Sequence, residues 1–135
     1  MQPESAFKRH MDECFKKQFA AETRYHTSIV QGRGQKAGLP DRFYAALGKH
    51  CWLEAKVHPY KLSPLQEQVL PRLARAGARV VVATLYEGDI GTITCHEYDA
   101  YGHKGTPKTW GKDMLKTFPF WNFILQKSSM IAGTF

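Results

Sequence analysis

Phe7, Met11, Phe15 and Phe19 recur at four-residue steps, with Cys14 at the edge of the same stripe, so residues 3–19 are predicted as an amphipathic helix. Residues 25–31 read as a strand, and the glycine-rich stretch 32–38 as a loop. Residues 43–47 are β-formers and small residues, Gly48-Lys49 is a reversal, and 51–57 is a second strand, together a hairpin. Side chains alternate along a strand, so Trp52, Glu54 and Lys56 share one face while Leu53, Ala55 and Val57 point into an apolar layer. Ser63-Pro64-Leu65-Gln66 is a capping box with proline at the first helical position, and it opens a helix over 64–76 with a Leu65, Val69, Leu70, Leu73 stripe. Pro71 inside that helix predicts a kink or an early break. Residues 78–85 are apolar apart from Arg79 and Thr84, the composition of a buried strand, and the strand–helix–strand order implies a parallel crossover.

Beyond residue 85 the pattern weakens. An edge strand is expected over 90–98, a polar stretch rich in glycine, lysine and histidine over 99–112, and an aromatic-rich close from Trp110 through Met114, Phe118 and Trp121 to Leu125. Such a cluster is a core, a subunit interface, where aromatics and methionine are enriched, or a surface that stacks unpaired bases. The whole reads as an α/β fold, a central mixed sheet flanked by helices. It forms a single domain over 1–135, with a motif-bearing core over 1–85 and an extension over 86–135.

Composition narrows the classes of function. At 135 residues and 43% hydrophobic content the chain can fill one core. Nineteen basic against twelve acidic residues give +7 and a pI near 9.4, a balance suited to a polyanion whose phosphates release counterions on binding. Cys14, Cys51 and Cys95 are odd in number and unpaired in spacing, which argues for a reducing compartment rather than a disulfide framework, and Cys95-His96 with His103 makes no zinc pattern. The loop at 32–38 fits neither a dinucleotide fingerprint nor a Walker motif. No apolar stretch approaches a membrane span, and the first residues read as a charged amphipathic helix rather than a signal peptide. A cytoplasmic protein is expected, with a phage-encoded protein acting in the host cytoplasm as one setting.

Charges on a central strand need a reason. With Gly48-Lys49 as a two-residue loop, Asp41 would lie opposite Lys56 and diagonal to Glu54, about 7–8 Å away between backbones. Two carboxylates at that separation can converge on a hard divalent cation, Mg²⁺ or Mn²⁺, which takes oxygen ligands. Lys56 stands beside it to hold a water. A Lewis acid, a positioned water and charge neutralisation are what metal-assisted phosphodiester hydrolysis requires. Against this, Asp41 after Pro40 also suits a turn residue bonding its own backbone, and Glu54 with Lys56 an ordinary solvated pair. In the first helix Glu4 falls within the apolar stripe, Asp12 at its margin and Glu13 on the far side, so Glu4 either caps the helix or reaches inward to a site.

Pro40-Asp41 followed by Glu54-Ala55-Lys56 resembles the PD-(D/E)XK nuclease superfamily. Gly38-Leu39-Pro40-Asp41, Trp52 to Val57, Leu62 to Gln66 and the helix ending in Ala76 to Val80 resemble the virus-type replication-repair nuclease domain, and are similar also to the archaeal-type Holliday junction resolvases. The resemblance covers residues 1–85. It implies a restriction-endonuclease-like core and a divalent-metal-dependent DNA endonuclease, structure-selective and junction-resolving, acting as a homodimer on branched or four-way DNA. It implies further that Asp41, Glu54, Glu4 and the backbone of Ala55 hold Mg²⁺ or Mn²⁺, and that Lys56 positions the water. Gln66 would sit near the metal besides capping, or would cap alone. Arg33, Lys36 and Lys61 would contact phosphates. The alternatives are a replication-repair or DNA-degrading nuclease without junction preference, and an inactive nucleic-acid-binding module.

Overall fold

A computed structural model describes residues 3–29, 38–88 and 90–126. Its elements are α1 (Pro3–Gln18), β1 (Arg24–Ser28), β2 (Arg42–Ala46), β3 (Lys49–Val57), α2 (Pro64–Arg75), β4 (Val80–Tyr86), β5 (Thr92–Glu97), β6 (Lys108–Gly111) and α3 (Phe118–Ile124). The strands form one mixed sheet in the order β1-β2-β3-β4-β5-β6. Only β3 and β4 run parallel, and α2 supplies the crossover that a parallel pair requires. The fold is the α/β class expected from the pattern.

Each sheet face buries its own layer. Leu53, Ala55, Val81, Ala83, Leu85, Ile93 and Cys95 meet Phe7, Met11 and Phe15 of α1 and Phe120, Trp121 and Ile124 of α3. Val80 and Val82 meet Leu70 and Ala74 of α2 on the opposite face, with Trp52 partly covered there. β4 is therefore buried on both sides, which explains why its sequence is a continuous apolar run rather than an alternation.

Three expectations are corrected. The hairpin loop is Leu47-Gly48, with both residues at positive φ (55° and 79°) as a type I′ turn demands, and Lys49 begins β3. The register consequently pairs Arg42 with Leu53, and one step further sets Asp41 across from Glu54 rather than from Lys56. The strand expected over 90–98 is interior, because the polar stretch contains β6, which pairs with β5 and takes the edge. The early break at Pro71 does not occur, and α2 runs on to Arg75: a proline removes one helical hydrogen bond, and the buried Leu70 and Ala74 on either side hold the turn against the sheet. Of the three readings open for the aromatic close, core is the one that holds for Leu115, Phe120, Trp121, Phe123, Ile124 and Leu125, while Phe118 stays exposed. Trp121 is fully buried among Phe15, Tyr44 and Phe120, and its indole N–H donates to the Leu115 carbonyl at 2.8 Å.

Arg79, polar in an apolar run, has a structural task. Its guanidinium is buried, pairs with Glu97 and donates to the carbonyls of Phe123 (2.8 Å) and Ile124 (3.3 Å) in the last turn of α3. All three cysteines are buried and free, as their spacing indicates. No helix among the described residues is long and apolar enough to cross a membrane.

Candidate active site

Gly38 lies flush against α2: a Cβ there would come within 2.9 Å of the Leu65 carbonyl oxygen and of Val69 Cγ2, and its φ of +92° suits glycine alone. The chain then turns through Leu39-Pro40 and delivers Asp41 to the end of β2, beside β3. Trp52 N–H and His58 N–H donate to the carbonyls of Arg79, just before β4, and of Leu85 within it, so even-numbered residues of β3 pair with β4. Ala55, alternating with them, turns its peptide toward the side where β2 has ended. Asp41 fills that gap. Its Oδ1 accepts the Ala55 N–H at 3.2 Å, and its own N–H donates to Glu54 Oε1 at 3.1 Å. The Ala55 carbonyl shares this side, so two carboxylates and a peptide oxygen meet at one break in the sheet.

Glu54 is 2% exposed, unusual for a carboxylate. Lys56, two residues on along the same face, places Nζ 3.1 Å from Glu54 Oε2. Gln66 lies close enough to Glu54 to favour its charged form. Its amide oxygen accepts the Ser63 N–H (3.0 Å) while the Ser63 hydroxyl accepts the Gln66 N–H (3.1 Å), so the capping box holds and the amide NH₂ is left for the carboxylate. Gln66 therefore both caps and reaches the site. Burial, then the charge of Asp41, push the Glu54 carboxyl up to about 7, against Lys56 and Gln66. Burial likewise raises Asp41, against Lys8, the Ala55 N–H and Arg42.

Lys8 was not selected by the sequence reading. It projects from α1 to within 2.7 Å of Asp41 Oδ2 and 3.2 Å of Glu4 Oε2. Glu4 thus approaches Asp41 through an ammonium. Burial works against the Lys8 charge, yet its contacts with Asp41 and Glu4 outweigh burial and raise its pKa. The signal was available: Glu4 and Lys8 stand one helical turn apart, the spacing at which side chains meet. Thr84, also missed, faces Lys56 across the parallel β3–β4 pair, buried, with its hydroxyl unpaired among the described residues. Arg42 donates to the Asp41 carbonyl (3.2 Å) and lies 3.3 Å from Asp12 Oδ1, which also accepts the Tyr44 hydroxyl at 2.7 Å. The turn is thereby tied to α1. Lys61 is exposed on the connection between β3 and α2, while Arg33 and Lys36 lie outside the described residues.

The donors fit a hard divalent cation in number of charges and in atom type: Asp41, Glu54 and the Ala55 carbonyl are all oxygens. A carboxylate pair whose protonation is favoured by burial, and at Glu54 also by the charge of Asp41, gains most from a nearby positive charge. Among the described residues no group of three or more His, Cys, Asp or Glu is gathered about a common point.

No family model and no curated protein matches the chain. Among solved structures it is similar to the 1.6 Å structure of Archaeoglobus fulgidus Hjc, a Holliday junction resolvase from an archaeal hyperthermophile, with a TM-score of 0.48 and 14% identity over 82% of this chain and 90% of that one.

Proposed function

We propose that the protein is a divalent-metal-dependent endodeoxyribonuclease that hydrolyses phosphodiester bonds, selective for branched DNA and for four-way junctions above all. The observation that carries this reading is the break in the sheet at Asp41, where a buried Glu54, the Ala55 peptide and Lys56 converge. Asp41, Glu54 and the Ala55 carbonyl would hold Mg²⁺ or Mn²⁺, which when bound would supply Lewis-acid polarisation of the scissile phosphate.

The chain's own groups do the rest. Lys56 presents its ammonium to the attacking water and to the charge developing on the phosphoryl oxygens. Gln66 fixes Glu54 from α2, so the carboxylate does not swing away when charged. Thr84 adds an unpaired hydroxyl beside Lys56. Glu4 acts from α1 through Lys8 on the other oxygen of Asp41. Lys61, with Arg33 and Lys36, would neutralise flanking phosphates, in keeping with a net charge of +7. A four-way junction has two scissile strands, and a two-fold homodimer would present a site to each.

The test is cleavage of labelled four-way junction and linear duplex, side by side, in Mg²⁺, Ca²⁺ and chelator. Mg²⁺ should support cutting and Ca²⁺ binding with little turnover. Asp41→Asn, Glu54→Gln and Lys56→Ala should each lower cleavage by about 10²-fold or more, the scale of losing one preorganised charge. Robust cutting in excess chelator would sink the mechanism. Equal cutting of linear duplex would leave the hydrolase but remove the junction preference, and sedimentation decides the dimer.

A further inference from the structure

We infer that Lys8 serves as a built-in cation on the outer side of Asp41, so that the site takes one divalent ion per chain rather than two. The inference rests on the reading of Asp41 and Glu54 as cation ligands and says how that site is filled.

The two oxygens of Asp41 face different ways. Oδ1 points at β3, where it accepts the Ala55 N–H at 3.2 Å, on the side shared with Glu54. Oδ2 points at α1, where Lys8 Nζ lies 2.7 Å away. A second ion paired with the first, about 3.5–4 Å from it as in two-metal hydrolases, would need Asp41 as the shared ligand and another carboxylate beyond it. Glu4 is the carboxylate available there, and its Oε2 lies 3.2 Å from the same ammonium. Lys8 therefore occupies the position between Glu4 and Asp41 from which a second ion would draw its ligands.

An ammonium suits that position better than a small divalent ion does. Its contacts of 2.7 and 3.2 Å are ordinary charge-assisted hydrogen bonds. Mg²⁺ demands six oxygens at about 2.0–2.1 Å in octahedral array and gives up water reluctantly. Two carboxylate oxygens from a helix and a turn offer it little beyond charge. Lys8 is also tethered by α1, whose Phe7 and Met11 are buried in the core, so it competes at a high effective concentration. On the Glu54 side Lys56 is bonded to Glu54 but not to Asp41, so the inner position keeps Asp41 Oδ1 and the Ala55 carbonyl for a ligand. The asymmetry assigns one position to a metal and the other to the protein's own cation. Lys8 also pins Glu4, accounting for a glutamate on the core face of α1 without making it a metal ligand.

The test counts ions rather than turnover. Mn²⁺ is titrated calorimetrically into the full chain, and bound Mn²⁺ is counted by electron paramagnetic resonance, for the wild type, Lys8→Met, Lys8→Gln and the double variant Lys8→Met with Glu4→Gln. The wild type should bind about one ion per chain. Removing the ammonium should raise the count to about two, with spin–spin broadening from adjacent ions, and Glu4→Gln in that background should return it to one. Two ions on the wild type would overturn the inference, as would a count that stays at one in both single variants when thermal melting shows them folded. The Met and Gln replacements guard against loss of fold, since they keep the length of the stem. Absence of any Mn²⁺ binding by the wild type would instead overturn the metal-dependent reading itself, a result distinguishable from the other two.

Discussion

Glu54 has its nearest cation on its own strand and its nearest anion across the break, so it is the residue at which burial and charge conflict most. Its carboxyl, ordinarily near 4.5, is raised to about 7 by burial first and by Asp41 second. In the folded protein the group thus holds a proton that the unfolded chain releases at lower pH. The contribution to stability is full below about 4.5 and is lost as pH rises through about 7; it does not appear as acid sensitivity. The size is at most about 3–4 kcal/mol, from roughly 1.4 kcal/mol per unit. Urea denaturation of the metal-free protein at pH 5 and pH 8 should therefore show Glu54→Gln gaining on the wild type by about 1–3 kcal/mol at the higher pH, because an amide carries no charge to desolvate. An equal difference at both values would mean that Lys56 and Gln66 already compensate the charge in full. Asp41, Glu54 and Lys56 were legible in the sequence because two carboxylates and a lysine are conspicuous on an apolar strand. Lys8 was not, because a lysine on an amphipathic helix is ordinarily solvated, and only the tertiary placement of α1 brings this one to Asp41.

Elements were legible wherever burial fixed the periodicity, and misread wherever a local choice was nearly neutral. The four-residue stripe of α1 and the unbroken apolar run of β4 follow from facing one core or two. The hairpin was misplaced by one residue because glycine first, as in Gly48-Lys49, suits a II′ turn, whereas the observed turn puts a leucine at φ +55°. That conformation costs an L-residue about 1–2 kcal/mol, and the residue gains little in return, since Leu47 is 60% exposed. Leu47→Asn, creating the Asn-Gly pair that type I′ turns favour, should raise stability by about 0.5–1 kcal/mol in urea denaturation, with the unfolding slope unchanged. A loss of stability would mean that the Leu47 side chain packs usefully after all. The one-step shift matters for function, since it is what moves Asp41 from Lys56 to Glu54. β6 was illegible for a different reason: four residues in a polar stretch become a strand through pairing with β5, a tertiary effect that propensity does not carry.

At the scale of the whole molecule the sheet separates two tasks. The face under α2 carries Glu54 and Lys56, with Gln66 on α2 above them, while the face under α1 and α3 is the larger apolar core and holds α1 in place, from which Lys8, paired with Glu4, reaches around to Asp41. Trp121 is the joint of that second layer: Phe15 from α1, Tyr44 from β2 and Phe120 from α3 surround it at ring separations of 5.1–5.3 Å. An aromatic-rich segment reads from sequence alone equally as interface or core, because both bury the same residue types; only the packing of α1 against it decides. Trp121→Ala should then cost about 3–5 kcal/mol through lost burial and the cavity left behind. Because Tyr44 bonds Asp12, and Asp12 lies against Arg42 beside Asp41, the damage should reach the site before the fold is lost. Cleavage at a temperature where the variant is still folded should fall, and hydrogen exchange at Tyr44 and Arg42 should quicken. If Trp121 were instead an intersubunit contact, the variant would sediment as a lighter species with its thermal midpoint nearly unmoved. With a side chain fully out of solvent inside one chain, the expected result is the reverse, a lowered midpoint and an unchanged sedimentation coefficient for the folded fraction.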